Sequence, residues 1–313
     1  MFSRYHFYDS IFRPRQHIGN MKLDRRQFLY TAGAGIAGVS LSPCASASGK
    51  VPQGDGYGVL VDTTECIGCR KCEWACAKAN ELSDLPLDAF EDVWVYEQPR
   101  RMTARAYTVV NRYADKAKPE QPTFVKAQCM HCLRPACASA CLVGALQRQD
   151  NGAVTYDPWK CMGCRYCMVA CPFQVPAYEY DKALSPVVSK CSFCFERVQT
   201  EGKTPACVDI CPPMCLTFAK RNELLGLARD KIATSPGRYV DHIYGEHEVG
   251  GTSWLYLTSR PATELGLLEF GEKPIPEYTE PLQHGLFKFG LPPMLLFGLL
   301  AAAMRTFETK ETE

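Results

Sequence analysis

Sulfur dominates the chemistry open to this chain. Sixteen of its 18 cysteines fall into four groups of four. The stretch ECIGCRKCEWACAKAN supplies Cys66, Cys69, Cys72 and Cys76, and CMHCLRPACASAC supplies Cys129, Cys132, Cys137 and Cys141. CMGCRYCMVACP supplies Cys161, Cys164, Cys167 and Cys171, while a looser arrangement, CSFC then CVDICP, supplies Cys191, Cys194, Cys207 and Cys211. Cys44 and Cys215 stand outside the quartets. Disulfides are a poor use of this spacing, because CxxCxxC crowds its thiols within one or two turns of backbone and leaves them badly placed for long-range cross-links. Zinc half-sites use CxxC pairs, which a third cysteine two residues on overfills, although CSFC alone would suit one. A 4Fe–4S cluster takes three thiolates from a short loop and a fourth from elsewhere, and CxxCxxCxxxCP is the run whose last cysteine serves a sister cluster. CMGCRYCMVACP matches that run at every specified position. Four motifs thus imply four clusters in two pairs. The second and third motifs, with twenty residues from Cys141 to Cys161, form a natural pair, which leaves the first and fourth for each other.

The residues around the cysteines fit a loop wrapped on a cluster. Gly68 and Gly163 lie inside CxxC turns, where the backbone must bend and aim its amides at sulfur. Pro172 and Pro212 follow the last cysteines of their motifs and end any local helix there. His131 sits between Cys129 and Cys132, but that quartet is complete without it, so a packing or solvent-facing role is expected of it. Lys126, Arg165 and Lys190 flank cysteines, where charge could tune a potential or dock a partner; solvated surface charge is expected of each. Farther on, NELLGLARDKIA spaces Leu224, Leu225, Leu227, Ala228 and Ile232 as an amphipathic helix capped by Asn222. GGTSWLYLTS reads as a short strand after a turn, and EFGEKPIPEYTEP as a Pro-rich linker. No Gly-rich phosphate loop, nucleophile elbow or HExxH motif is present, so no bond chemistry by the chain itself is expected.

Composition narrows the partners. The 313 residues are 46% hydrophobic, with 35 Lys+Arg against 34 Asp+Glu and a net charge of +1. That is ordinary for a globular protein, and there is no basic excess to track nucleic acid. From Met21, MKLDRRQFLYTAGAGIAGVSLSPCASASGK has the order of a twin-arginine export leader: Arg25 and Arg26, a Gly/Ala-rich apolar run, then Ala45-Ser46-Ala47. Cys44 is lost with such a leader, and Pro43 before it makes a poor lipoprotein site. Met21 also reads as the natural start. Clusters are built in the cytoplasm, so the twin-arginine route implies export of a folded, metal-loaded protein. Near the other end, LFKFGLPPMLLFGLLAAAM holds an uncharged run from Phe289 to Met304, about 24 Å as helix and about 28 Å with its flank, against a bilayer core of about 30 Å. Pro292 and Pro293 mark where that helix proper begins. Arg305 and Lys310 after it agree with a cytoplasmic end; the alternative is an apolar tail packed on a partner subunit.

The expected organisation is a leader over 1–47, a four-cluster domain over 48–250, a strand and Pro-rich linker over 251–284, a transmembrane helix over 285–305 and a polar tail over 306–313. The fold class is α+β, with tandem ferredoxin-like 4Fe–4S dicluster subdomains. The four motifs, GGTSWLYL and the apolar tail resemble the four-cluster ferredoxin-like electron-transfer subunits of membrane-bound respiratory oxidoreductases. With the leader on the same chain, the likeness is to the hydrogenase-2 (HybA) type of nickel–iron hydrogenase. The beta subunit of a molybdopterin enzyme such as formate dehydrogenase is similar in the same motifs. A non-redox zinc-binding module is the rival of another class.

That resemblance implies one cluster on Cys66, Cys69, Cys72 and Cys211, and its sister on Cys191, Cys194, Cys207 and Cys76. It implies a third on Cys129, Cys132, Cys137 and Cys171, and a fourth on Cys161, Cys164, Cys167 and Cys141. Cys215 remains an alternative to Cys211. Cys141 is followed by Leu142 where many relatives have proline. The implied partners are a catalytic oxidoreductase subunit, an integral-membrane quinone- or haem-linked subunit, and the bilayer through the C-terminal helix. The implied location is the periplasmic face of the inner membrane.

Overall fold

One strand organises the molecule. The computed structural model describes residues 55–115, 119–180, 187–285 and 291–308, so the leader with Arg25, Arg26 and Cys44 lies outside the described residues. In chain order the elements are β1 (Tyr57–Asp62), α1 (Lys71–Ala79), β2 (Thr108–Tyr113), β3 (Thr123–Gln128), α2 (Ala136–Ser139), β4 (Leu146–Arg148), β5 (Val154–Tyr156), α3 (Tyr166–Ala170), β6 (Ala177–Tyr178), β7 (Val188–Ser189), α4 (Phe195–Gln199), α5 (Ala206–Asp209), β8 (Leu216–Lys220), α6 (Arg221–Thr234), β9 (Trp254–Leu257), α7 (Pro276–Gly285) and α8 (Leu291–Glu308). β1 pairs antiparallel with β8, Val59 opposite Phe218, and parallel with β9, Val59 opposite Trp254. Its sequence YGVLVD is apolar on both faces because both are covered.

The alternation of side chains splits that sheet between two cores. Val59, Val61, Trp254 and Tyr256 share one core with Phe193, Leu216, Cys207 and Cys215. Leu60, Leu255 and Leu257 share the other with Leu224, Leu225 and Ala228 of α6. The sheet therefore stands between a supporting helix on one face and the cysteines on the other, as a period of two requires. The remaining sheets are hairpins: β2 with β3, β4 with β5, and β6 with β7. Helix α1 packs on α5, and α2 on α3, which brings the first motif beside the fourth and the second beside the third.

Several expectations need correction. The GGTSWLYLTS strand is no linker segment: β9 completes the central sheet, so the folded core extends past residue 250. Helix α7 begins inside EFGEKPIPEYTEP and runs on to Gly285, with Pro281 within it. Glu280 of α7 accepts from Ser139 Oγ at 2.8 Å, and Glu277 pairs with Arg134, which ties this segment to the second motif. Helix α6 begins at Arg221 with Lys220 at its cap position, not after Asn222, whose amide donates to Asp55 Oδ1 at 3.2 Å. The transmembrane helix expected over 285–305 is not found: among the described residues no helix is long and apolar enough to cross a membrane. Helix α8 opens at Leu291 with both prolines in its first turn. Its uncharged stretch to Met304 is about 21 Å long, short of a bilayer core of about 30 Å.

Candidate metal centres

The four quartets build their loops from one repeated conformation. The residue before the second cysteine is left-handed in all four: Gly68 at φ 72°, His131 at 47°, Gly163 at 74° and Phe193 at 59°. This turn aims an amide back at the first sulfur. The N–H of Gly163 reaches Cys161 Sγ at 3.4 Å, that of Phe193 reaches Cys191 Sγ at 3.4 Å, and that of Gly68 serves Cys66. At Gly68 a Cβ would also stand 2.5 Å from the Phe124 ring, so the glycine answers both the turn and the close approach.

A second turn follows three of the four last cysteines. Gly144, Gln174 and Met214 are left-handed, and each donates its N–H to the carbonyl three residues earlier, on Cys141, Cys171 and Cys211. The next amide then meets the sulfur: Ala145 N–H reaches Cys141 Sγ at 3.1 Å, and Val175 and Cys215 do the same for Cys171 and Cys211. The missing proline after Cys141 thus costs nothing in the turn. After Cys76 the chain stays helical, and the side-chain amide of Asn80 takes over, 3.6 Å from Cys76 Sγ.

These loops gather the sulfurs into four sets, each drawing on two motifs. Cys66, Cys69, Cys72, Cys211 and Cys215 line one cavity. Cys76, Cys191, Cys194 and Cys207 line a second. Cys132 faces Cys171, Cys129 and Cys137, and Cys167 faces Cys141, Cys161 and Cys164. The last cysteine of each motif stands with the sister motif's three. All sixteen predicted cysteines are placed in such a set, and Cys215 joins the first.

The donor set fits a polynuclear cluster. Burial, reinforced by neighbouring thiols, pushes Cys191 up to about 12 and Cys167 and Cys171 up to about 11, and lifts Cys72, Cys76 and Cys132 well above the ordinary thiol. Thiolates so crowded need a polycation among them. Among the described residues no three Cys, His, Asp or Glu side chains close on a single metal ion; the sulfurs instead frame cavities. In the first set, a hydrogen bond from Cys215 and the amides that follow lower Cys211 to about 6, while the Cys215 thiol is raised by Cys211 and Cys66 beside it. The two sulfurs are 3.3 Å apart. Either sulfur could donate to the other, and it is the backbone amides of Met214, Cys215 and Leu216 around Cys211 that favour the thiolate there.

Two charges are not where the sequence put them. Lys126 and Lys190, expected on the surface, are buried at 2% and 5% exposure. Lys190 Nζ donates to the carbonyls of Val154 and Cys191. Arg165 is exposed and stacks on Tyr178. His131 is fully buried, accepts from Val154 N–H through Nδ1 at 2.8 Å, and packs on Phe193.

A family model described as a 4Fe–4S dicluster domain matches residues 121–221. The hydrogenase-2 operon protein HybA of Escherichia coli O157:H7 is 31% identical over 90% of this chain and 95% of its own length. The chain belongs to the HybA family. A protein of Nitratidesulfovibrio vulgaris is 48% identical over 90% of this chain and 78% of that one. The iron-sulfur subunit of nitrate-inducible formate dehydrogenase from Escherichia coli K12 is 34% identical over 63% of this chain and 66% of its own length. The cysteine loops described above are thus those of a 4Fe–4S protein with ferredoxin-like dicluster architecture.

Proposed function

We propose that this HybA-family chain is a non-catalytic electron-transfer subunit that holds four 4Fe–4S clusters in a row. The observation that carries this reading is the order of the sulfur sets. Lys126 lines the cavities of the first and second. Cys191 of the second lies near Cys129 of the third, and Cys137 of the third near Cys167 of the fourth. Such clusters take up and return single electrons at potentials set by charge, burial and hydrogen bonds to sulfur. The chain's own part is to supply the sulfurs, aim amides at them and keep water from the inner sets. Cys211 serves as the ligand and Cys215 as a thiol donor beside it.

Both ends of the row reach the surface. At the fourth set Cys164 is exposed, with Met162 and Val169 around it. At the first, Ile67 and Met214 are exposed. One end would face a catalytic subunit and the other a quinone- or haem-linked membrane subunit. The exposed apolar residues of α8, among them Leu295, Leu296 and Phe297, would seat against that membrane partner. The leader supports location on the periplasmic face of the inner membrane, after export as a folded protein.

A nickel–iron hydrogenase is the favoured complex, because the likeness to HybA runs over 90% of the chain. The likeness to formate dehydrogenase iron-sulfur subunits, over 63%, supports a molybdopterin enzyme as the second reading. Anaerobic purification with partners, followed by metal and sulfide analysis, tests both levels. The expected result is about sixteen iron and about sixteen acid-labile sulfide per chain, with a nickel–iron subunit alongside. A molybdopterin subunit would select the second reading. About four zinc without sulfide would overturn the electron-transfer role.

A further inference from the structure

A buried cation without a carboxylate partner stands between the first two sulfur sets. Lys126 of β3 is 2% exposed and lines both cavities. Its Nζ donates to Gln128 Oε1 at 2.9 Å and lies 4.4 Å from the centroid of the Trp254 ring. Gln128 Nε2 donates to Tyr256 Oη at 2.7 Å, and Tyr256 Oη donates to the Lys126 carbonyl at 2.8 Å. The ring closes through the Lys126 backbone carbonyl, and with the Trp254 face it holds the ammonium between the cavities. Among the described residues no carboxylate pairs with it; the buried Glu73 is held by Arg70 and Arg100 instead. Arg70 also lines the first cavity, but Glu73 balances its charge.

An ammonium taken fully out of water is strongly disfavoured unless an anion compensates it. Burial disfavours the ammonium, and the groups that share its two cavities are cysteines: Cys66, Cys72 and Cys211 of the first set on one side, and Cys76, Cys191 and Cys207 of the second on the other. The compensating anion is therefore the two sets together, and each loaded set becomes more negative by one charge when it is reduced. In a dry site a fixed positive charge favours that added electron more than it would in water.

Building on the cluster reading, we infer that Lys126 is a positioning charge shared by two clusters, raising the reduction potentials of both while leaving the other pair as it is. The same charge shields the two reduced clusters from each other. Both members of the pair are then reducible within one narrow range, which lets an electron pass between them without a steep step.

The test uses the complex purified with its partners, as wild type and as Lys126→Met, Lys126→Gln and Lys126→Arg. Iron and sulfide are measured first, and each protein is then titrated with dithionite while the reduced clusters are followed by EPR. In the neutral variants two of the resolved clusters should move to lower midpoint potential at unchanged iron content. The other two should stay in place, and Lys126→Arg should restore the wild-type values. Unmoved potentials, an equal shift of all four clusters, or an arginine variant that behaves like the neutral ones would overturn the inference. If Lys126→Met blocks loading, Lys126→Gln, which keeps a polar head for Gln128, carries the titration. Failure of all three to load would show that shape and not charge is required there, and would also overturn it. Wild type lacking iron and sulfide would instead defeat the underlying cluster reading, an outcome distinct from loaded protein with unmoved potentials.

Discussion

Replacing Glu73 by alanine should unfasten the first cysteine loop. The carboxylate is 5% exposed and accepts from three sources. Arg70 donates through Nε at 3.3 Å and Nη2 at 3.1 Å, Arg100 through Nη1 at 3.1 Å and Nη2 at 2.5 Å, and the Val110 amide at 2.6 Å. Arg70 itself is left-handed at φ 56°, directly after Cys69, and its Nη1 holds the carbonyls of Phe90 and Asp92 over the loop. Glu73→Ala strands the buried guanidinium of Arg70 and a backbone amide. Removing one partner of a buried pair costs about 3–5 kcal/mol. The share of Arg100, 26% exposed, is discounted because water screens it. At about 2–4 °C per kcal/mol for a domain of this size, the holoprotein should melt about 6–20 °C lower. The assay is bleaching of the visible absorbance on heating at a matched scan rate. The exposed Glu272→Ala serves as control and should move by no more than about 2 °C. A loaded Glu73→Ala protein that melts within about 3 °C of wild type would refute the claim that this carboxylate anchors the loop.

The other predictions follow from the sulfur geometry. Cys211→Ala should lose about a quarter of the iron, whereas Cys215→Ala should keep it all; the reverse outcome in iron analysis would make Cys215 the ligand. Gly68→Ala combines a left-handed alanine, costing about 1–2 kcal/mol, with a Cβ driven into Phe124. It should therefore lower both the melting temperature and the iron content, and a fully loaded, equally stable variant would contradict the packing argument. Removal of iron by chelation should expose the amides of residues 129–180 to hydrogen exchange first, because α2, α3 and β4–β6 span only two to five residues each and cannot stand alone. The sheet of β8, β1 and β9, backed by α6, should stay protected longest; uniform loss of protection would count against that division.

The quartets and the tight turns at Gly68 and Gly163 were legible because metal-ligand spacing and glycine both leave local marks in a sequence. The same holds for α6, whose buried Leu224, Leu225 and Ala228 are at helical spacing. What escaped depends on distant partners. β9 reads as an isolated apolar run, and only its parallel register with β1, about 195 residues away, makes it central. Lys126 looks like any surface lysine until Trp254 and two cysteine loops close around it. Glu277 and Glu280 turn a Pro-rich segment into a docked helix through ion pairs with Arg134 that no local pattern announces. The membrane span expected over 285–305 draws part of its length from residues 286–290, which lie outside the described residues.

The left-handed residue before each second cysteine shows how two pairs of sulfur sets are joined in one body. In the first and third motifs that position is glycine, the residue with no penalty there. In the second and fourth it is His131 and Phe193, each accepting a strained backbone that costs about 1–2 kcal/mol. Both are fully buried, and their rings meet at 4.9 Å. Phe193 continues to Trp254 at 6.2 Å and Phe218 at 6.1 Å in the central sheet, while His131 takes the amide of Val154 in the hairpin beneath the other pair. A loop position whose first duty is to bend around a sulfur thus also supplies the contact between the pairs, beside Cys129 and Cys191. A side chain at that point fixes the spacing of the second and third sulfur sets, the one junction along the row that no shared motif spans.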